Sequence, residues 1–222
     1  METIIISLGG SAIIPDKVDY KYLEEFKKII NKHNKKYKFI IVTGGGKTAR
    51  TYIEAIHKEK LSEKLASLLG ISTTRLNARL VAGFFKIKGK IPETIEEVKK
   101  SKNKLIICGA LGFRPNMTSD ANAADLAKIF KAKAFINITN IKGVFTKNPL
   151  TNKAARFIPE ISHKDFNKMA QRIKFKAGQH FVLDQTASKI ILKNKIPTII
   201  LKGNNNLDKF LSNKKFSGTI IK

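Results

Sequence analysis

The chain has 222 residues, 42% of them apolar, with 43 Lys and Arg against 17 Asp and Glu, a formal net charge of +26. That is enough for one good core, in one large domain or two small ones, and no run approaches the roughly 18 uninterrupted apolar residues of a membrane helix. A single cysteine, Cys108, excludes an internal disulfide framework and a multi-cysteine metal site.

In chain order, short β-rich runs alternate with helical patterns. "TIIISL" (3–8) predicts a strand, and residues 22–32 an amphipathic helix with Leu23, Phe26 and Ile30 on one side. "YKFIIVT" (37–43) is a second strand, followed by helical patterns over most of 47–60 and 62–85. "IPETIEEVKKSK" predicts a short charged helix, "KLIICG" (104–109) a strand that buries Cys108 as a small hydrophobe, 119–131 a helix and "KAFINIT" (133–139) a strand. Four apolar strands alternating with helices predict a parallel sheet covered on both faces. From about residue 143 turn residues multiply, and "VFTKNPLTNKAARFIPEI" predicts a hairpin-like excursion. "SHKD" (162–165) has capping-box spacing, 178–194 reads as a longer helix, and "PTIILKG" and "SGTIIK" close the chain as strands. No linker, repeat or low-complexity segment interrupts it, so the expectation is a single domain over 1–222 with two lobes on one sheet.

The positive excess suits a polyanionic partner such as nucleic acid. The lysines are scattered, however, and neither a basic-aromatic motif nor Cys/His finger spacing appears. The expectation is a lysine-rich surface around a small anionic substrate, with no dedicated nucleic-acid partner and no membrane. The start, "METIIISLGG", enters a strand directly without a basic leader or cleavage site, which predicts a cytoplasmic protein. The four histidines are spread out and nothing has metal-cage spacing, so no protein metal site is predicted.

Three strands end in glycine or a helix-starting polar cluster: "SLGGS" (7–11), "VTGGGK" (42–47) and "CGALG" (108–112). Ligands of open α/β sheets gather at the carboxyl ends of parallel strands. Glycines there let main-chain amides approach an anion, and the following helix adds its positive dipole end. "GGGKT" is not a Walker A loop, because the position five before Gly46 is Ile41 rather than glycine. "GGGKTA" also fits a dinucleotide pattern, but a second helix follows where a returning strand should end in an acidic residue. Lys47 and Arg50 put positive charge at a helix start, where it opposes the dipole unless an anion lies between them.

"ISLGGSAI", "VTGGGKTARTYIEAI", "GISTTRLNARL", "TSDANAADLAKIFKAKAFINITNIKGVFTKNP" and "VLDQTASKII" together resemble the amino-acid-kinase superfamily, its archaeal-type UMP kinase branch most of all. The likeness runs in order from Ile4 to the final "GTII". It implies a three-layer αβα sandwich with a mainly parallel sheet, divided into an acceptor-binding and dimerisation lobe (1–135) and an ATP-binding lobe (136–222). It implies transfer of the ATP γ-phosphate to UMP, giving UDP, with Mg²⁺ arriving with ATP, and a homo-oligomer built as a hexamer of dimers.

Residue by residue, the resemblance places Gly9 and Gly10 on the ATP phosphates and Gly45 and Gly46 between donor and acceptor. Arg50 would contact phosphate, with Lys47 as a second cation. "MTSD" matches a Thr-Thr-Asp that meets the nucleoside monophosphate, here Thr118, Ser119 and Asp120, and Ser119 could also cap the helix. Thr139, Phe145 and Asn148 would frame the adenine and ribose of ATP, and Asp184 and Lys189 correspond to matching residues of the nucleotide site. The chain departs from the pattern at Ser67, where the family carries an aspartate on the UMP ribose hydroxyls, and at Lys142, Phe145 and Asn148. The loop "GALGFRPNMTSD" is about two residues longer than expected and adds Phe113 and Arg114, the latter placed to grip the acceptor phosphate. A lost bidentate ribose acceptor costs about 1–3 kcal/mol. These departures leave open another small-molecule kinase, acting on an amino acid, carbamate or isopentenyl phosphate, and a nucleotide-binding protein that has lost catalysis.

Overall fold

The structure, a computed structural model, describes residues 1–114, 117–172 and 182–222. Strands β1 (Glu2–Leu8), β2 (Tyr37–Thr43), β3 (Leu105–Cys108) and β4 (Ala134–Thr139) are runs of β-branched and aromatic residues buried along nearly their whole length. Such runs suit a sheet covered on both faces. The four strands pair in parallel, with β1 between β2 and β4 and with β3 outside β2. β8 (Thr198–Lys202) extends the parallel set beyond β4, and β9 (Gly218–Ile221) returns antiparallel beside it. β7 (Glu160–Ile161) closes the far edge, so the order is β3-β2-β1-β4-β8-β9-β7. Val144–Phe145 (β5) and Phe157–Ile158 (β6) form a separate antiparallel ribbon, the excursion read from the sequence.

Strand alternation sends side chains into two cores. Ile5, Ile40, Val42 and Phe135 face one side, with α6 (Ser119–Ile129), α7 (His163–Gln171) and α8 (Gln185–Asn194). Ile4, Ile6, Phe39 and Ile136 face the other, with α2 (Tyr20–His33), α4 (Glu63–Phe84) and α9 (Gly203–Leu211). The predicted three-layer α/β/α arrangement with a mainly parallel sheet is therefore what the chain forms.

Helix starts follow the sequence closely. α2, α4, α5 (Ile95–Lys100), α6, α7 and α8 begin on Asp19, Ser62, Thr94, Thr118, Ser162 and Asp184, whose side chains accept first-turn amides. α3 (Gly46–Lys58) begins on Gly45 without a side-chain cap, leaving its leading amides for something else.

Two local expectations change. Thr118, not Ser119, caps α6, because its hydroxyl accepts the Ala121 amide. The helix read over 178–194 begins only at Gln185, stopped by the Asp184 cap; residues 178–181 lie outside the described residues. α9 occupies "GNNNLDKFL", a stretch with no expectation attached, and its buried Leu207 and Leu211, one turn apart, are the helical signal. A four-residue helix, α1 (Gly10–Ile13), also follows β1.

Candidate functional site

The loops after β1, β2, β3 and β4 open into one cleft of about 770 Å³ at the carboxyl edge of the sheet. Gly9 and Gly10 line it from the first loop, Gly45, Gly46 and Arg50 from the second, and Arg114, Thr118, Ser119 and Asp120 from the third. Thr139 and Asn148 line it beyond β4, Asp184 from the start of α8 and Ser67 from α4. Thirteen of the fifteen sequence-predicted site residues thus converge, although some lie more than 170 positions apart.

The other two face elsewhere. The Lys47 ammonium pairs with Asp16 on the surface, and Lys47 does not line the cleft. Phe145 stacks on Phe157 in the β5–β6 ribbon, ring centres 5.5 Å apart, and does not line it either. Lys189, on the exposed side of α8, is also outside the lining, and Lys142 lies 4.3 Å over the Phe157 ring.

The glycine loops lock together through their main chains. A Cβ on Gly10 would sit 2.0 Å from the Gly46 nitrogen, so any side chain there would force the two loops apart. Gly46 has φ +65 and would push a Cβ to 2.6 Å from the Gly10 carbonyl oxygen, so sterics and backbone conformation both require glycine. Beside this backbone surface stands Arg50, which forms no ion pair among the described residues. A guanidinium next to helix amides suits an anion.

The opposite wall is built from carboxylates. Ser7 donates to the Asp120 Oδ1 at 2.6 Å, and Thr118 donates to the Asp184 Oδ2. Asp184 also accepts the Thr186 and Ala187 amides at 2.7 and 2.9 Å through Oδ1. Loss of water around the Asp120 carboxyl, reinforced by the negative charge of Asp184, pushes its pKa up to about 7, against the lowering effect of the Ser7 hydrogen bond. Arg114 is tied to Asp125 at 3.0 Å, which aims its charge along the loop.

Several residues in or behind the cleft walls escaped the sequence reading. Ser7 and Asn137 are polar residues inside apolar strands; Asn137 is buried and donates to the Val182 carbonyl, fixing the chain just before Asp184. Their signal was available: a polar residue near the end of a buried strand needs a partner. Asn77, 1% exposed, holds two carbonyls of the glycine loop from α4, inside a motif noticed only for its family likeness. Among the described residues no group of three His, Cys, Asp or Glu side chains could hold a metal.

The sequence pattern of the amino acid kinase family matches residues 2–202. The uridylate kinase of Thermoplasma volcanium is 36% identical over 218 residues, covering 96% of this chain and 94% of that protein. That of Methanoregula boonei is 33% identical over 210 residues, covering 91% and 87%. The crystal structure of uridylate kinase from Archaeoglobus fulgidus superposes with a TM-score of 0.84 at 32% identity, covering all of both chains. UMP kinase from Ureaplasma parvum shares the fold, with a TM-score of 0.80 at 21% identity.

Proposed function

The chain belongs to the amino acid kinase family, and on that premise we propose that it is a UMP kinase, moving the γ-phosphate of ATP to UMP to give UDP. The observation that carries the reading is near-full-length similarity to archaeal uridylate kinases in a chain whose matching motifs line one cleft.

Phosphoryl transfer needs alignment and charge neutralisation more than covalent help. The bond from the γ-phosphorus to the ADP oxygen breaks as a bond to a UMP phosphate oxygen forms. A phosphate monoester has a second pKa near 6, so the attacking oxygen is largely ionised at neutral pH and no general base is required. The chain's task is to hold two polyanions together. Gly9 and Gly10 supply main-chain surface for the ATP phosphates, Gly45 and Gly46 for the phosphates that meet, and Arg50 adds a full positive charge. Thr118, Ser119 and the first turn of α6 face the acceptor, with Ser67 and Arg114 at its flank. Thr139 and Asn148 face the nucleoside of ATP. Asp184 acts by holding Thr118 and the α8 amides in register. Lys47 acts only at a distance, because Asp16 holds its ammonium away from the cleft.

Mg²⁺ is the expected companion of ATP. The residues present suit it: Asp120 and Asp184 offer hard oxygen donors to one cleft, and with no protein cage among the described residues the ion would depend on the phosphates. When bound, it neutralises phosphate charge. Residues 1–135 then form the acceptor side and reach the ATP phosphates through Gly9 and Gly10, and 136–222 form the rest of the ATP side. Exposed Leu65, Leu68 and Leu76 on α4, with Tyr52 on α3, offer an apolar face for self-association into dimers and a hexamer. No helix among the described residues is long and apolar enough to cross a membrane, and a cytoplasmic location fits the reaction.

The test is an ADP-release assay with ATP·Mg²⁺ across UMP, CMP, AMP and GMP. UMP should be the preferred acceptor, and no turnover with any of them at millimolar concentration would overturn the proposal. Light scattering should give a multiple of the 24.8 kDa chain mass, and a monomer would remove the assembly.

A further inference from the structure

One motif remains without a task in that reaction: "TTRLN", in the middle of α4. Its residues grip both acceptor loops. The Thr74 hydroxyl accepts the Ala110 amide at 2.9 Å, and Arg75 Nε donates to the Ala110 carbonyl at 3.3 Å, which fixes the loop after β3. Arg75 is held in turn by Glu93 at 2.7 Å. Asn77 Nδ2 donates to the Gly44 carbonyl at 2.7 Å and to the Gly45 carbonyl at 3.3 Å, which fixes the loop after β2. Both partners of Asn77 are carbonyl oxygens, pure acceptors, so the side-chain nitrogen must face them.

We propose that Asn77 is a positioning residue for phosphoryl transfer, setting the direction of the Gly45 and Gly46 amides by holding the carbonyls of their own peptide planes. The inference rests on the kinase reading above. A peptide unit is planar and trans, so its C=O and its N–H point opposite ways. Holding the Gly44 oxygen toward α4 aims the Gly45 N–H away from α4, and holding the Gly45 oxygen does the same for the Gly46 N–H. Three successive glycines have little preference of their own, and their peptide planes rotate cheaply. The main chain supplies only part of the anchor: Gly44 N–H donates to the Leu8 carbonyl at 2.9 Å, and the Gly45 carbonyl accepts the Ala49 amide at 3.3 Å. Among the described residues Asn77 is the side chain that holds the Gly44 carbonyl. Without it that oxygen is free to turn toward the cleft, where it would repel a phosphate and withdraw the amide that should meet it.

The experiment compares wild type with Asn77→Ala and Asn77→Asp, with rates taken per folded molecule from near-UV circular dichroism. N77A should lower kcat at saturating ATP and UMP by about 10–100-fold, less than the roughly 10²–10³-fold of an outright lost donor because Asn77 aims the donor rather than being it, with KM for each substrate changing less than threefold. N77D can donate only when protonated, so the ratio of N77D to N77A activity should rise as pH falls from 8 to 6, whereas a purely structural asparagine would leave it flat. Folded N77A with wild-type kcat, or a ratio that does not rise, overturns the inference. Wild-type protein inactive on every acceptor defeats the kinase reading itself, which is a separate result.

Discussion

The two walls of the cleft are made of different material. The wall carried by β1 and β2 is main chain: Gly10 and Gly46 in mutual contact, with Asn77 behind them. The wall carried by α6 and α8 is side chain: Thr118, Asp120 and Asp184, held by one another, by Ser7 and by first-turn amides. A main-chain wall presents fixed dipoles that no change of pH can remove, but it tolerates no added atom. A side-chain wall tolerates substitution of shape more easily, yet its charge depends on protonation. The first wall suits permanent phosphate recognition, and the second adds a negative field whose strength varies near neutral pH.

The largest effect should come from breaking the main-chain wall. Gly10→Ala places a methyl 2.0 Å from the Gly46 nitrogen, so activity should fall at least ~10³-fold, at or above the upper end for the loss of one donor. Steady-state kinetics with a parallel thermal melt would check it, and a variant above a tenth of wild-type kcat would show that the loops are not locked.

The side-chain wall predicts a trade of stability against function. Asp120 has a folded pKa of about 7 against 3.8 in an unfolded chain, so between those values the folded state binds more protons and stability falls as pH rises. Above pH 7 the cost levels off, on the order of 2–4 kcal/mol once water in the cleft is allowed for. Asp120→Asn should therefore raise the melting temperature at pH 8 and give almost no gain at pH 4, while lowering activity. Urea melts at the two pH values would show it, and an equal gain at both would remove the charged pair as the cause.

Restoring a carboxylate at the acceptor flank should act more mildly. Ser67→Asp should lower KM for UMP about tenfold, toward the low end of the roughly 1–3 kcal/mol of the lost ribose acceptor, and leave KM for ATP unchanged. Equal shifts for both substrates would put Ser67 outside the acceptor side. Smallest of all should be Lys47→Ala. The ammonium is bound to Asp16 on the surface, so kcat/KM should change less than about threefold, as for loss of an exposed ion pair. A hundredfold loss would mean that Lys47 swings into the cleft during turnover.

The difference between the walls also governs how much of the site could be read in advance. The glycine wall was legible because glycine runs after β-branched strands have few other uses, and the cap at Ser162 follows a local rule. Side-chain roles were less legible. Nothing in "GGGKT" says that Lys47 turns to Asp16, thirty-one positions earlier, while Arg50, one turn on, pairs with no carboxylate among the described residues. Nor does "VFTKNP" reveal that Phe145 packs against Phe157.

By itself the sequence determined the alternation of strands and helices over most of the chain and the places where main chain must come close to something else, because each depends on neighbours along the chain. Tertiary structure alone decided which polar side chains meet: Ser7 with Asp120, Thr118 with Asp184, Asn77 with Gly44. Those pairs span 33 to 113 positions, and only parallel strand packing, which brings distant loop ends to one edge of a sheet, gives a side chain such a partner.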